Sequence, residues 1–247
     1  MSTIKVYPDR ERLAEAAAQH IVAQARAAIA EQQRFTIVLS GGSTPQPVYA
    51  RLAPGGLADS IDWACVHVFW SDERCVPPDH PDSNYRMAYE AWLKHVPIPP
   101  DNVHRMKGEM APAAAAAEYE GLLRAFFAAS AREGKPLAAR FDLVLLGMGE
   151  DGHTASLFPG AEALRETRHW VAAYKVPALD TWRITLTPVV INAASQVVFL
   201  VAGAEKARRL REVLYGPYQP ERLPAQLIRP PRGKLLWLVD EAAARWQ

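Results

Sequence analysis

The chain has 247 residues, of which 49% are apolar, enough to bury a full core as one large α/β domain over 1–247. Its 28 Lys and Arg against 27 Asp and Glu leave a formal charge of +1, with no basic block, which removes the electrostatic case for a nucleic-acid or membrane-surface partner. Two cysteines are too few for a disulfide framework or a structural zinc, "MSTIKVYPDR" lacks a signal peptide's apolar core, and no apolar run is long enough to span a bilayer; a cytoplasmic protein is expected.

In chain order, "IKVY" (4–7) reads as a strand and 9–33 as a helix, with Leu13, Ala17, Ile21, Ala25, Ala28 and Ile29 on one stripe at near 3.6-residue spacing. "FTIVL" (35–39) is the next strand, and "SGGSTP" follows it. There Gly41 and Gly42 let the backbone turn tightly, Ser43 or Thr44 can cap the next helix, and Pro45 suits its first turn. The free N–H groups of such a turn form an anion site, although an ordinary strand–turn–helix cap accounts for them equally well. The G-x-x-x-x-G-K-[ST] pattern of a nucleoside triphosphatase is absent.

"VHVFW" (66–70) is a third strand, preceded by Cys65, which reads as a small buried residue. Asp72, Glu73 and Arg74 crowd its end, and Ser83 and Asn84 open another helix after a proline-stiffened loop. Arg74 can grip a phosphate or carboxylate as a fork; the alternatives are a solvated charge cluster and a plain helix cap at Asn84. The alanine tract 113–117 runs into Tyr119, Leu122, Leu123, Phe126 and Phe127, so 112–133 reads as a packed helix. "FDLVLL" (141–146), "RITL" (183–186), "QVVFLV" (196–201) and "KLLWLV" (234–239) complete the strands, with "WVAAYKV" (170–176) as a further candidate. A helix over 204–215 carries Lys206 in its first turn, where its charge opposes the helix dipole unless an anion lies near. The proline-rich pieces 77–81, 97–100 and 217–231 are loops and mark no domain boundary.

Strands apolar throughout, alternating with helices, predict a doubly wound, mostly parallel, Rossmann-like α/β sheet with helices on both faces. Ligands of such sheets sit beyond the carboxyl ends of the strands. "GMGEDGHTASLFPG" (147–160) stands at one of those ends, and Gly147, Gly149 and Gly152 satisfy G-x-G-x-x-G. A dinucleotide cradle nevertheless needs a long helix after its third glycine, and Pro159 and Gly160 stop one; Glu150 and Asp151 would also place negative charge against a pyrophosphate. The alternative is a catalytic turn. His153 takes a proton from water near neutral pH, and Asp151, across Gly152, accepts a hydrogen bond from its other ring nitrogen. Plain packing of His153 and capping by Asp151 also fit the residues alone.

Taken together, "LSGGSTP" (39–45), "SDERCVP" with "DSNY" (71–85), "GMGEDGHTASLFPG" and "RITLTP" with "VVFLVAGAEKA" (183–207) resemble the 6-phosphogluconolactonase family over essentially the whole chain. That family is part of a wider group that includes glucosamine-6-phosphate deaminase/isomerase. The resemblance implies hydrolysis of 6-phospho-D-glucono-1,5-lactone in the oxidative pentose phosphate pathway, with neither metal nor cofactor. It makes His153 the general base and Asp151 its orienting partner. It places Gly41, Gly42, Ser43, Thr44, Arg74, Arg183 and Lys206 at substrate-binding positions, chiefly for the phosphate; Asn84 is held with them as a candidate. The deaminases typically carry D-D-E where this chain has "DER" (72–74), and a Glu five residues after the His where this chain has Phe158. Deaminase/isomerase activity is therefore the second reading. A non-catalytic sugar-phosphate sensor is the third, without a helix-turn-helix to support it. A monomer or weak dimer is expected.

Overall fold

The computed structural model describes residues 2–53, 59, 61–129 and 139–245. The chain enters through β1 (Ser2–Tyr7), α1 (Arg10–Gln32), β2 (Phe35–Leu39), α2 (Gln46–Ala50), β3 (Val66–Trp70), β4 (Asp72–Arg74) and α3 (Asn84–Ala91). It continues through α4 (Pro112–Ala128), β5 (Leu143–Gly147), β6 (Val171–Val176), β7 (Thr181–Leu186), α5 (Pro188–Ile191), β8 (Gln196–Val201), α6 (Ala207–Tyr215) and β9 (Lys234–Asp240).

Six strands form one sheet in the order β1-β9-β8-β5-β2-β3, with every neighbouring pair parallel. The apolar run of β5 shows why. Leu143 and Leu145 join one buried cluster, with Leu13 and Ile21 of α1 and Tyr49 of α2. Val144 and Leu146 point the other way into a second cluster, with Tyr119 and Leu123 of α4 and Leu210 of α6. Successive strand side chains alternate faces, so a strand covered on both sides must be apolar at every position. Each such side chain contributes about 1.5–3 kcal/mol of burial. The expected two-sided parallel sheet is the one observed.

Helix α1 begins where Asp9 accepts the Arg12 N–H at 2.8 Å. It ends where Gln33, at φ 56°, donates its N–H to Ile29 O. The helix expected over 112–133 extends to Ala128, and its last four residues lie outside the described residues. The first turn of the helix expected over 204–215 is a 3-10 turn, Ala204–Lys206, before α6.

One expectation is corrected. "RITL" and "WVAAYKV" do not join the parallel sheet; β7 and β6 pair antiparallel with each other, and β7 pairs antiparallel with β4. Periodicity identifies a strand but not its partner, and the three residues of β4 are too short to announce themselves. Ser71 joins the two sheets, donating its N–H to Leu39 O and accepting the Leu186 N–H. The small sheet therefore stands over the carboxyl edge of the large one, beside β2.

His104 packs under this edge, its ring 4.4 Å from Phe69 and its Nε2 3.3 Å from His67 Nδ1. Burial, with His67 adding and Asp101 opposing, pushes it from 6.5 down to about 4. Between those values the unfolded chain binds a proton that the folded chain refuses, so stability falls as the pH drops through that window. His104→Phe, which keeps the stack, should flatten this loss in urea unfolding followed from pH 7 to pH 4 (the range set by the linkage). An unchanged slope would show that His104 is not its source.

Candidate active site

Three turns leave the large sheet side by side, after β2, β5 and β8, and with β4 and the start of α3 they enclose a cleft of about 240 Å³. Gly41, Gly42, Ser43, Thr44, Arg74, Asn84, His153 and Lys206 all line it.

The turn after β5 is tied to itself. Gly149 donates its N–H to His153 O at 2.8 Å, Gly152 donates to Gly149 O at 3.1 Å, and Thr154 Oγ1 donates to Gly147 O at 2.8 Å. Gly152 sits at φ +87°, in the left-handed region that favours glycine. Asp151 Oδ1 accepts two bonds from His153, one from its backbone N–H at 3.0 Å and one at Nδ1, 2.6 Å away. An ionised carboxylate can only accept, so Nδ1 carries the proton and Nε2 of the neutral ring keeps a lone pair. Burial pushes the Asp151 carboxyl up, but the hydrogen bond and charge of His153 and the backbone N–H outweigh it, leaving Asp151 below its ordinary value. Phe158 stacks on the imidazole at 4.1 Å between ring centres. Gly149 has its own reason to be glycine: a Cβ there would stand 2.1 Å from His153 Nδ1. No α-helix follows the turn; Thr154 and Leu157 form an isolated bridge instead, so the turn lacks the helix a dinucleotide cradle requires.

At the turn after β2, a Cβ on Gly41 would stand 1.8 Å from Asn84 Oδ1, so glycine lets the start of α3 close over the loop. Asn84 is 2% exposed and donates through Nδ2 to Asp72 O at 2.9 Å. The cap of α3 is Ser83, whose Oγ accepts the Arg86 N–H. Helix α2 has only five residues, so anion-binding capacity here resides in the loop amides and in the hydroxyls of Ser43 and Thr44.

The acidic cluster after β3 is buried rather than solvated. Glu73 accepts N–H bonds from Arg74, Asn84 and Tyr85 at 2.7–2.8 Å and a bond from Ser83 Oγ. Burial still pushes its carboxyl up against these bonds. Asp72 lines the cleft and accepts from Ser71 Oγ at 3.1 Å and from Ser156 Oγ at 2.7 Å, which fastens β4 to the turn carrying His153. Lys206 enters from the turn after β8, which is fixed by Gly203 N–H donation to the Asp240 carboxylate at 3.0 Å. Its ammonium is 3.9 Å from Glu150.

Arg183 departs from the expectation. It lies outside the cleft, in a neighbouring cavity of about 420 Å³ that shares Arg74 with it. It faces Arg74 across the β4–β7 pair and donates to Thr181 Oγ1 at 2.7 Å and to Trp182 O at 3.1 Å. Burial, with Arg74 adding, pulls its guanidinium below the usual arginine range. Sequence patterning also passed over Asp72 as a wall of the cleft, Ser156 as its partner, and Phe158 as the ring behind the imidazole. Their signal was position: each lies directly beyond β3 or within five residues of His153. Among the described residues, no three His, Cys, Asp or Glu side chains are placed to hold a metal ion.

Residues 8–237 match the family described as glucosamine-6-phosphate isomerases/6-phosphogluconolactonase. A 6-phosphogluconolactonase of Nostoc sp. is 45% identical, covering 98% of this chain and 96% of its own. One of Synechocystis sp. is 42% identical, covering 97% and 96%. The structure of 6-phosphogluconolactonase from Trypanosoma cruzi superposes with a TM-score of 0.87 at 30% identity, covering 100% of this chain and 97% of its own.

Gly149→Ala drives a methyl group into the imidazole and should separate His153 from Asp151. In proton NMR of the folded variant, the far-downfield signal of the shared Nδ1 proton should vanish, and the Asp151 carboxyl should titrate nearer its ordinary value. Retention of both features would show that the turn accommodates the methyl group.

Proposed function

Because the chain belongs to the glucosamine-6-phosphate isomerase/6-phosphogluconolactonase family, we propose that its cleft hydrolyses 6-phospho-D-glucono-1,5-lactone to 6-phosphogluconate, the lactone step of the oxidative pentose phosphate pathway, with His153 activating the water. The observation that carries this reading is the 2.6 Å Nδ1–Oδ1 bond to Asp151 on a ring that lines the cleft. It leaves Nε2 as the free base.

The chemistry follows from those atoms. Water attacks C1 of the lactone while Nε2 takes its proton; the imidazolium that forms is stabilised by the Asp151 carboxylate. The C1 carbonyl oxygen gains the negative charge, for which the cleft offers backbone N–H groups of the glycine turns and the Arg74 guanidinium. Collapse of the adduct breaks the bond from C1 to the ring oxygen, which takes the proton back from the imidazolium. A lactone is an activated ester, so no serine or cysteine nucleophile is required. The phosphate, remote from C1, is received by Gly41–Thr44 and Lys206 and holds the ring in register. Arg183, which faces Arg74 from the neighbouring cavity, acts on the substrate only indirectly, through Arg74.

Phe158 favours hydrolysis over isomerisation. Moving a proton between carbon and oxygen of an amino sugar calls for another acid–base group near the imidazole, and the group stacked on His153 is a phenyl ring. The free thiols Cys65 and Cys75 support a cytoplasmic setting.

His153→Ala should remain folded and lose the general-base contribution, about 10²–10⁴-fold in kcat; wild-type turnover would remove His153 from the mechanism. Lys206→Ala should raise KM for the phosphorylated lactone, by a larger factor than Arg183→Ala, and leave hydrolysis of unphosphorylated gluconolactone unchanged. Equal losses on both substrates would contradict the phosphate role. EDTA should leave the rate unaltered, and inactivation by it would require a metal in the reaction.

A further inference from the structure

The turn that carries His153 is bonded from outside by a stretch of chain with no acid–base role of its own. Residues 217–228 run on from α6 and contain Pro217, Pro220 and Pro224, with a single 3-10 turn at Pro224–Leu227. The prolines predict a loop here, and the loop is extensively hydrogen-bonded. Gln226, 4% exposed, ties it down. Its Oε1 accepts the Gln219 N–H at 2.6 Å, and its Nε2 donates to Pro217 O at 3.0 Å and to Glu212 O and Val213 O at 3.3 Å. One amide thus closes the carboxyl end of α6 and both ends of the loop.

The loop meets the catalytic turn at two points. Ala225 donates its N–H to Gly152 O at 2.9 Å, and Glu221 O accepts the Gly160 N–H at 2.9 Å. Leu223, 1% exposed, presses on Gly152: a Cβ there would stand 3.1 Å from Leu223 Cδ2. Arg165, just beyond the turn, meets the Glu221 carboxylate through two bonds at 2.8 and 2.9 Å. The two points of attachment are glycines at positive φ, +87° and +72°. Neither belongs to a helix or strand that would otherwise fix it. Gly152 O belongs to the peptide that joins Gly152 to His153, so its bond to Ala225 sets the plane from which the imidazole projects.

We propose that residues 217–228, locked by Gln226, are a brace that holds the Gly152–His153 peptide and with it the height of the imidazole over the cleft, making Gln226 a positioning residue for the reaction. This rests on the reading of His153 as the base. The anion loop of Gly41–Thr44 leaves β2, and Lys206 is fixed through Gly203 and Asp240 at the end of α6 opposite the Gln226 bonds, so neither is held directly by the brace. Loosening the brace therefore acts on turnover and spares binding. A side chain that only stabilised the fold would change the folded fraction and leave both constants of the folded enzyme intact.

The test is Gln226→Met in the full chain, similar in length but without the amide, with rates referred to folded protein. A small displacement of a catalytic group costs up to about 100-fold, so kcat should fall by about 10- to 100-fold. KM for the phosphorylated lactone should stay within about twofold, as binding is untouched. The downfield Nδ1 proton signal of the His153–Asp151 pair should broaden or disappear. If Gln226→Met does not fold, the exposed pair carries the test. Arg165→Ala with Glu221→Ala should lower kcat by about three- to tenfold at unchanged KM, a smaller loosening of the same turn. Wild-type kcat per folded site with the proton signal intact overturns the brace, whatever the melting temperature does. Full activity in His153→Ala would instead overturn the assignment of the base, while the proton signal of Gln226→Met would still judge the brace.

Discussion

The bond between Asp151 Oδ1 and His153 Nδ1 is the interaction on which the cleft depends, and most of the local structure exists to make it possible. Two residues apart, these side chains meet only if the backbone between them reverses, which Gly152 permits at φ +87°. The space for the ring is left by the missing side chain of Gly149. The same carboxylate oxygen also accepts the His153 backbone N–H, so the pair is fixed at both the main chain and the ring. A glycine-rich pattern that resembles a phosphate cradle is thus accounted for by the geometry of a hydrogen-bonded pair.

Around that pair the two sheets divide the work. The parallel sheet supplies the turns after β2, β5 and β8, which adjoin because their strands are neighbours. The small antiparallel sheet supplies Asp72 and Arg74; Val171, Ile184 and Leu186 bury it against α4, and at the cleft its joint is polar: Asp72 to Ser71 and Ser156, Glu73 to the start of α3. Buried carboxylates of this kind are tolerable only when every oxygen is occupied. The charge cluster is therefore a joint between elements, and its arginine is the part left to face both the cleft and the neighbouring cavity.

Much of this was legible in the sequence, for identifiable reasons. Runs such as "LVLL" in β5 are apolar on both faces, as a strand covered on both sides must be, and their alternation with helices makes the sheet parallel, so the large sheet and its ligand-binding edge followed from patterning. Residues at strand ends could be found one by one, and Gly41, Asn84, His153 and Lys206 do share one cleft. What could not be read were pairings set by distant chain. β7 looks like any other strand, yet it lies between β6 and the three-residue β4, and its pairing with β4 is what carries Arg183 out of the cleft. The role of 217–228 was hidden for a similar reason: its proline content marks a loop, while its order comes from the Gln226 amide and from carbonyls that composition does not reveal.

A crystal structure with 6-phosphogluconate bound would show directly whether His153 faces the reacting carbon. The C1 carboxylate of the product should lie within hydrogen-bond distance of His153 Nε2, with the phosphate against Ser43, Thr44 and Lys206. A product whose carboxylate points away from His153, or whose phosphate lies in the Arg183 cavity with the Gly41–Thr44 loop empty, would contradict His153 as the base and Gly41–Thr44 as the phosphate site.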